Sequence, residues 1–382
     1  MASLIEWPSP VCVDGRMLSA GATGVGTYAD TLLATLGGAG AEPLVLTATG
    51  RPQGRLRRWI GAFSLRPHFA RHNPAERRLE AGPELFRQAQ VHFNLYGRPL
   101  LVKTDAPGGL MHWTYPVPLR IAGWRNVYTV HDAIPLTHPS LTPIDARRHR
   151  ALLTALAVDA DRFVTVSEAA RLEIVNALGC RVDLVTSLHQ GVAPPTSGGT
   201  LPQRLSPGSY FLFCGAIEPR KNLARLIDAH AASGSKRRLV IVGPDGWRAA
   251  DIVAKIDRSP NVTRLSYQNR QTLDALIRHA RALLFPSSAE GFGIPIIEAM
   301  MAETAVMTAG RGALREVAGE AALMIDPEDT RAMAAAIGWL DQDDALVAEL
   351  VAAGARQSVK FSIPAYAGRL AQLHADIFGL NA

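Results

Sequence analysis

Short apolar, β-branched runs alternate with longer amphipathic segments along most of this chain, and that alternation narrows the fold more than any other feature. Strands that are apolar on both faces must be covered on both faces, and parallel strands need crossovers long enough to hold a helix. The runs predict strands at 127–130, 162–166, 210–214, 239–242, 282–285 and 305–308. Helical spacing predicts helices at 143–157, 168–178, 222–231, 271–279, 295–301 and 330–340. The expected class is α/β, with open, doubly wound parallel sheets. A stretch rich in Pro, Gly and Ser at 192–209 (VAPPTSGGTLPQRLSPGS) separates two such βα sets and reads as a linker between two Rossmann-like domains. A chain of 382 residues is long enough for two cores. A last helical pattern (Tyr366, Leu370, Leu373, Ile377) marks 363–378, with Pro364 in its first turn.

Composition excludes several classes. With 48% hydrophobic and 19% charged residues, the chain is neither disordered nor fibrous. It has no uninterrupted apolar run of about 18 residues, the length a membrane span needs. The first residues, MASLIEWP, carry neither a basic segment nor an apolar one, so no secretory signal is expected. Cys12, Cys180 and Cys214 are three, far apart, without a C-x-x-C pair; reduced thiols in the cytoplasm are expected, and no metal site. The net charge of +6 is uneven. Eight arginines (51, 55, 57, 58, 66, 71, 77, 78) crowd Arg51–Arg78 against one acid, Glu76, with Trp59, Ile60, Phe63 and Phe69 interleaved. Such a segment suits nucleic acid, an anionic membrane surface, or a solvated loop.

Four motifs can carry chemistry. Gly21-Ala-Thr-Gly24-Val-Gly26 precedes an apolar helix pattern, where glycines let backbone N–H groups approach an anion. Its order, G-x-x-G-x-G, is wrong for a dinucleotide fingerprint, and no suitably placed acid follows, which opposes a dehydrogenase. Glu218-Pro-Arg220-Lys221-Asn222 follows the strand at 210–214 and opens a helix. Two cations at that carboxyl edge suit a diphosphate. Glu290-Gly291-Phe292-Gly293-Ile294-Pro295-Ile-Ile-Glu298 follows the strand at 282–285. Gly291 and Gly293 free amides for a ligand, while Glu290 in the loop and Glu298 a turn inside the helix can accept hydrogen bonds from a sugar and a ribose. His131-Asp132 ends the strand at 127–130; Asp132 either orients the imidazole or caps the next turn. Ser167 reads as an N-cap, and Arg147, Arg148 and Arg150 as a solvated helix face.

Taken together, these residues resemble retaining glycosyltransferases of family 4, which share the GT-B fold. The resemblance rests on the E-x7-E pair with its GFG loop and on GVGTY, VYTVHDAIPLTHP, FVTVSEAARLEI, GAIEPRKN, FPSSAEGFGIPIIEAM and the FSIPAYAGRL tail. Within the family the chain looks most like mannosyltransferases of bacterial O-antigen and exopolysaccharide synthesis. The resemblance implies two Rossmann-like domains facing a cleft: an acceptor domain at 1–195 with a return helix at 362–380 crossing back to it, and a donor domain at 205–361. It implies that Arg220 and Lys221 neutralise the nucleotide diphosphate with amides near Gly291, Phe292, Gly293 and Ile294. It further implies that Glu290 holds donor-sugar hydroxyls, Glu298 the ribose, and His131 the reacting centre, with Gly24 and Gly26 lining the cleft.

Two departures stand out. The family often has an Arg five residues before the Lys, where this chain has Ala216, and a Gly-x-Pro after the E-x7-E helix, where it has Glu303-Thr304-Ala305. The expected reaction is retaining transfer of a hexose, mannose from GDP-mannose, to a lipid-linked or growing polysaccharide acceptor, without cofactor or metal. The alternatives are a UDP- or dTDP-sugar donor, or a non-catalytic sugar-nucleotide binder. No nucleic-acid partner is expected. The arginine-rich segment then fits docking on the cytoplasmic face of an anionic membrane, with a solvated loop as the other reading.

Overall fold

The computed structural model describes Trp7 and residues 10–18, 24–49 and 67–380. Their contacts divide the chain into two compact units: Met1–Thr137, Ile144–Gly191 and Ile363–Ala382 in the first, His138–Pro143 and Val192–Ser362 in the second.

The first unit is built on a 10-stranded sheet. Its central strand β1 (Val11–Asp14) lies between β2 (Leu44–Ala48) and β6 (Leu110–Trp113). Beyond β6 follow β8 (Arg125–Thr129), β9 (Arg162–Thr165) and β10 (Val185–Ser187), all parallel. On the other side β2 pairs with β4 (Arg78–Ala81), which turns antiparallel onto β3 (His68–Asn73). The strands β5 (Leu100–Thr104) and β7 (Leu119–Ile121) continue from β3 in parallel. The sheet therefore reverses direction once, at β3/β4.

Trp113, Tyr128 and Phe163 from adjacent strands fill one side of this core, with the Trp113 and Tyr128 rings stacked at 6.0 Å. Asn126, fully buried, closes the bend after β7. It donates to the Ile121 and Trp124 carbonyls at 3.0 and 2.8 Å and accepts from the Ile121 N–H at 3.0 Å and the Trp113 indole at 3.2 Å. A buried amide with this many partners is satisfied and specifies one geometry.

The second unit holds six strands, all parallel, in the order β13-β12-β11-β14-β15-β16. They are β11 (Tyr210–Cys214), β12 (Arg238–Val242), β13 (Val262–Leu265), β14 (Ala282–Phe285), β15 (Ala305–Ala309) and β16 (Leu323–Ile325). The strand order reverses between β11 and β14, and in such sheets ligands bind at that switch point, beyond the carboxyl ends of the strands. Phe213 and Phe285 stack at 5.9 Å beneath it. Gly243, after β12, has to be glycine: a Cβ there would lie 2.0 Å from the Gly215 carbonyl oxygen.

The expected strands and helices are present with small shifts. Expected strand 127–130 is Arg125–Thr129. Expected helix 143–157 begins at Ala146, because the Asp145 carboxylate accepts the Arg148 N–H at 2.8 Å and caps it there. Expected helix 222–231 begins at Leu223, since Asn222 is in the left-handed region. The stretch 192–209 does not swing free of the second unit. Thr196 donates its N–H and hydroxyl to the buried Asp274 carboxylate at 2.8 and 2.7 Å.

The last helix, Ile363–Phe378, packs within the first unit, as the resemblance implied. Its Arg369 donates to the Leu188 and His189 carbonyls, and its His374 lies 6.4 Å from His112 of β6 and 4.8 Å from Trp7. No helix among the described residues is long and apolar enough to cross a membrane.

Candidate active site at the switch point

The loops after β11 and β14 bring Glu218, Arg220, Lys221 and Glu290 together. Arg220 and Lys221 do not open the following α-helix as expected. They lie in a 3-10 turn, Pro219–Lys221, ended by Asn222 at φ 59°. The Asn222 amide holds that turn against the neighbouring loops, donating to the Pro286 and Pro327 carbonyls at 3.2 and 2.7 Å. The Ser288 N–H in turn donates to the Arg220 carbonyl at 2.8 Å.

From this turn both cations reach Glu290. Arg220 binds Glu290 Oε2 at 2.5 Å, Glu218 at 2.6 Å and the Ala289 carbonyl at 2.8 Å. Lys221 Nζ binds Glu290 Oε1 at 2.6 Å and sits 4.9 Å from the centre of the Phe285 ring. The Glu290 and Lys221 side chains are only 10% and 11% exposed, so screening by water is weak. Burial alone would raise the Glu290 carboxyl; the Arg220 and Lys221 charges outweigh it and hold the group at about 2. Glu290 is therefore an ionised acceptor at neutral pH, not a proton donor. Two cations and two carboxylates make the cluster formally neutral.

Gly293 caps the helix Ile294–Met301 at φ 111°, where Leu314 Cδ2 would come within 2.9 Å of a Cβ. Pro295 occupies the first turn, as expected. Glu298 is buried one turn in, and there the sequence reading missed a partner. Arg270, from the helix Arg270–Arg278, donates through Nη1 to Glu298 Oε1 and pairs through Nη2 with Asp274 at 2.6 Å. No local pattern announces a contact between residues 28 apart in sequence. The Cys214 thiol at the end of β11, pushed up by burial, also feels Glu298, Lys221 and Arg270, so these charges surround one strand end.

His131, Gly24 and Gly26 belong to the first unit, not to this cluster. Gly24 opens the helix Gly24–Gly38, and Gly26 is buried in its first turn; Gly21, Ala22 and Thr23 lie outside the described residues. Tyr28 of that helix joins the glycine motif to the histidine. Its hydroxyl is 3.0 Å from Thr129 Oγ1 and its ring 4.9 Å from the His131 ring, edge to face. His131 Nε2 lies 2.9 Å from the Thr114 carbonyl, which only accepts, so Nε2 carries the proton. Burial lowers its pKa to about 4, leaving the ring neutral with Nδ1 as its acceptor. Asp132 caps the next turn by accepting the Ile134 N–H at 2.9 Å, and Ser167 caps the helix Glu168–Leu178 by accepting the Ala170 N–H at 3.1 Å. Arg147, Arg148 and Arg150 are exposed.

Of the arginine-rich segment, Trp59, Ile60, Phe63 and the arginines at 51, 55, 57, 58 and 66 lie outside the described residues. Phe69 is 58% exposed, beside Lys103 across β3 and β5; Arg77 and Arg78 pair with Glu42 and Glu76. The departure after the E-x7-E helix is visible in the backbone. Glu303 takes φ 58°, a left-handed position that suits the glycine usual there, and Thr304 anchors the turn by donating to the Ile277 carbonyl at 2.7 Å.

Comparison with known proteins agrees with this geometry. Residues 22–196 match the family model Glycosyltransferase Family 4, and residues 204–357 match Glycosyl transferases group 1. The chain is 30% identical to the O-antigen chain mannosyltransferase B of Escherichia coli, over 62% of this chain and 67% of that protein. It is 28% identical to the O-antigen chain mannosyltransferase RfbU of Salmonella typhimurium, over 57% of this chain and 61% of that one. Among solved structures, sucrose-phosphate synthase from Thermosynechococcus elongatus superposes with a TM-score of 0.71 at 19% identity, covering 98% of this chain and all (100%) of the other. The Escherichia coli trehalose-6-phosphate structure with bound UDP-2-fluoro glucose gives a TM-score of 0.64 at 14% identity, covering 97% and 99%. At these identities the structures share the fold, which is GT-B.

Proposed function

Because this chain belongs to glycosyltransferase family 4, we propose that it transfers mannose from GDP-mannose, with retention, to a lipid-linked or growing bacterial polysaccharide acceptor. That it is a glycosyltransferase of polysaccharide assembly follows from the family and its mannosyltransferase relatives. The observation that carries the mechanism is an ionised Glu290 clamped between Arg220 and Lys221 at the switch point.

As the nucleoside diphosphate departs, negative charge develops on its phosphates. Arg220 and Lys221, already fixed by the Asn222 turn, stabilise that charge without reorganising. Glu290, unable to hold a proton near neutral pH, accepts hydrogen bonds from donor-sugar hydroxyls and favours the positive charge of an oxocarbenium-like state. Glu298 accepts from the ribose. Neutral His131 acts as a hydrogen-bond acceptor for a sugar hydroxyl, not as an acid. Attack from the face the leaving group vacates gives retention without a covalent nucleophile. In this reading 1–195 with 362–380 serves the acceptor and 205–361 the donor.

A donor screen tests the proposal: GDP-, UDP- and dTDP-sugars are incubated with a lipid-linked acceptor mimic, and nucleoside diphosphate release is measured with and without chelator. Release from GDP-mannose that survives chelation is expected. Release from a UDP- or dTDP-sugar alone would replace the donor; activity lost to chelator and restored by magnesium would overturn the metal-free mechanism; release from none would leave a sugar-nucleotide binder.

The exposed Phe69, Arg71 and Lys103 support docking of this unit on an anionic leaflet beside a lipid-linked substrate. Co-sedimentation with phosphatidylglycerol vesicles should then rise with anionic lipid and fall with salt. Sedimentation indifferent to both would identify a solvated surface instead.

A further inference from the structure

We infer that Arg270 is a positioning residue for Glu298, making the carboxylate selective for an intact ribose. The inference rests on the donor-site reading above and adds a residue to it.

Arg270 bridges two carboxylates from different elements, Glu298 on the helix Ile294–Met301 and Asp274 one turn along its own helix. Asp274 is fully buried (0% exposed) and cannot shift: its other oxygen, Oδ2, holds the Thr196 N–H and hydroxyl. The guanidinium is a planar fork whose two ends are both used here, so it transmits Asp274's fixed position to Glu298. This engages only Oε1 of Glu298, and Oε2 is left as the acceptor for ribose hydroxyls. Arg270 itself is 45% exposed while Glu298 is 8% exposed, the arrangement expected of a strut that reaches in from the rim.

A guanidinium that served only to neutralise a buried carboxylate would influence stability alone. A strut that aims Oε2 also sets how strongly the site distinguishes a ribose from a sugar lacking its hydroxyls. A well-placed charged hydrogen bond makes that difference about 10–100-fold in affinity.

The test is isothermal titration of the full chain with GDP, UDP, their 2′,3′-dideoxy counterparts and inorganic pyrophosphate. Wild-type protein is expected to prefer the ribose form of its nucleotide about 10–100-fold. Arg270→Ala should reduce that preference to within about threefold while leaving pyrophosphate affinity unchanged, and Arg270→Lys, lacking the fork, should restore only part of it. Since Arg270→Ala leaves the buried Asp274 without its cation, Arg270→Ala/Asp274→Asn is measured beside it, and the same loss of preference is expected there. An undiminished preference in both variants overturns the inference while the donor site stands. Wild-type protein that binds neither nucleotide overturns the donor site itself, and the inference with it.

Discussion

The two units of this chain keep buried titratable groups in different states. In the second, charges are buried in contact with counter-charges: Arg220 and Lys221 grip Glu290, and Arg270 grips Glu298. In the first, three buried imidazoles are stripped of charge. His131 is lowered to about 4 by burial, eased slightly by its bond to Thr114. His112 is lowered to about 3 by burial and by its neighbour His374, itself lowered to about 4, and among the described residues none of the four ring nitrogens of that pair has a hydrogen-bond partner. The difference shows that burial alone does not set ionisation. Where a counter-charge faces the buried group the ion survives in the interior, and where burial is met by none the imidazole loses its proton.

The largest expected effect comes from removing the charge at the clamp. Glu290→Gln keeps the shape but frees one positive charge in the Arg220–Lys221 clamp. Turnover should fall about 10²–10³-fold, while affinity for the nucleoside diphosphate rises. Lys221→Ala should lose both, and breaking a buried pair in this way costs about 3–5 kcal/mol of stability, so both are read on protein shown folded by circular dichroism. Near-normal kcat in Glu290→Gln would end the comparison, because the paired charges would then be structural.

A smaller effect, in stability alone, belongs to the first unit. A histidine whose folded pKa is depressed binds fewer protons folded than unfolded, so stability is full above about 6.5 and is lost as pH falls toward the folded values of about 3 and about 4. Each imidazole contributes a slope of up to about 1.4 kcal/mol per pH unit within that window. His112→Leu should flatten the decline in denaturant midpoint between pH 6.5 and pH 3, the window set by the unfolded value and by the folded value of His112 itself, about 3. The Glu290 contribution is present above its ordinary value of 4.5 and disappears as pH falls toward about 2, so the decline above pH 4.5 comes from the imidazoles and Glu290 adds to it only below that. A decline with unchanged slope in His112→Leu would show that its charge is not what acid exploits.

Much of the second unit was legible as sequence. Tyr210–Cys214 and Ala282–Phe285 are apolar on both faces and could only be central strands, and Pro295 and Gly293 mark the start of the helix that follows the second of them. The first unit was less legible below residue 125. His68–Asn73 carries His, Arg and Asn, and pairs as a strand because β4 and β5 supply hydrogen bonds on either side, not because its residues prefer it. The E-x7-E spacing pointed to two ligand-facing carboxylates without revealing what faces them.

The sequence by itself determined the class of fold, the identity of the candidate site residues and their placement at strand ends, since periodicity, glycine and proline act within a few residues of themselves. Only the tertiary structure decided the state of those residues. That Arg220 and Lys221 occupy a turn instead of a helix start, that they hold Glu290 ionised from 70 and 69 residues away, and that Arg270 holds Glu298 all depend on which loops the sheet brings together. Coulomb energy depends on distance through space and on exclusion of water, and neither is written in the order of the residues.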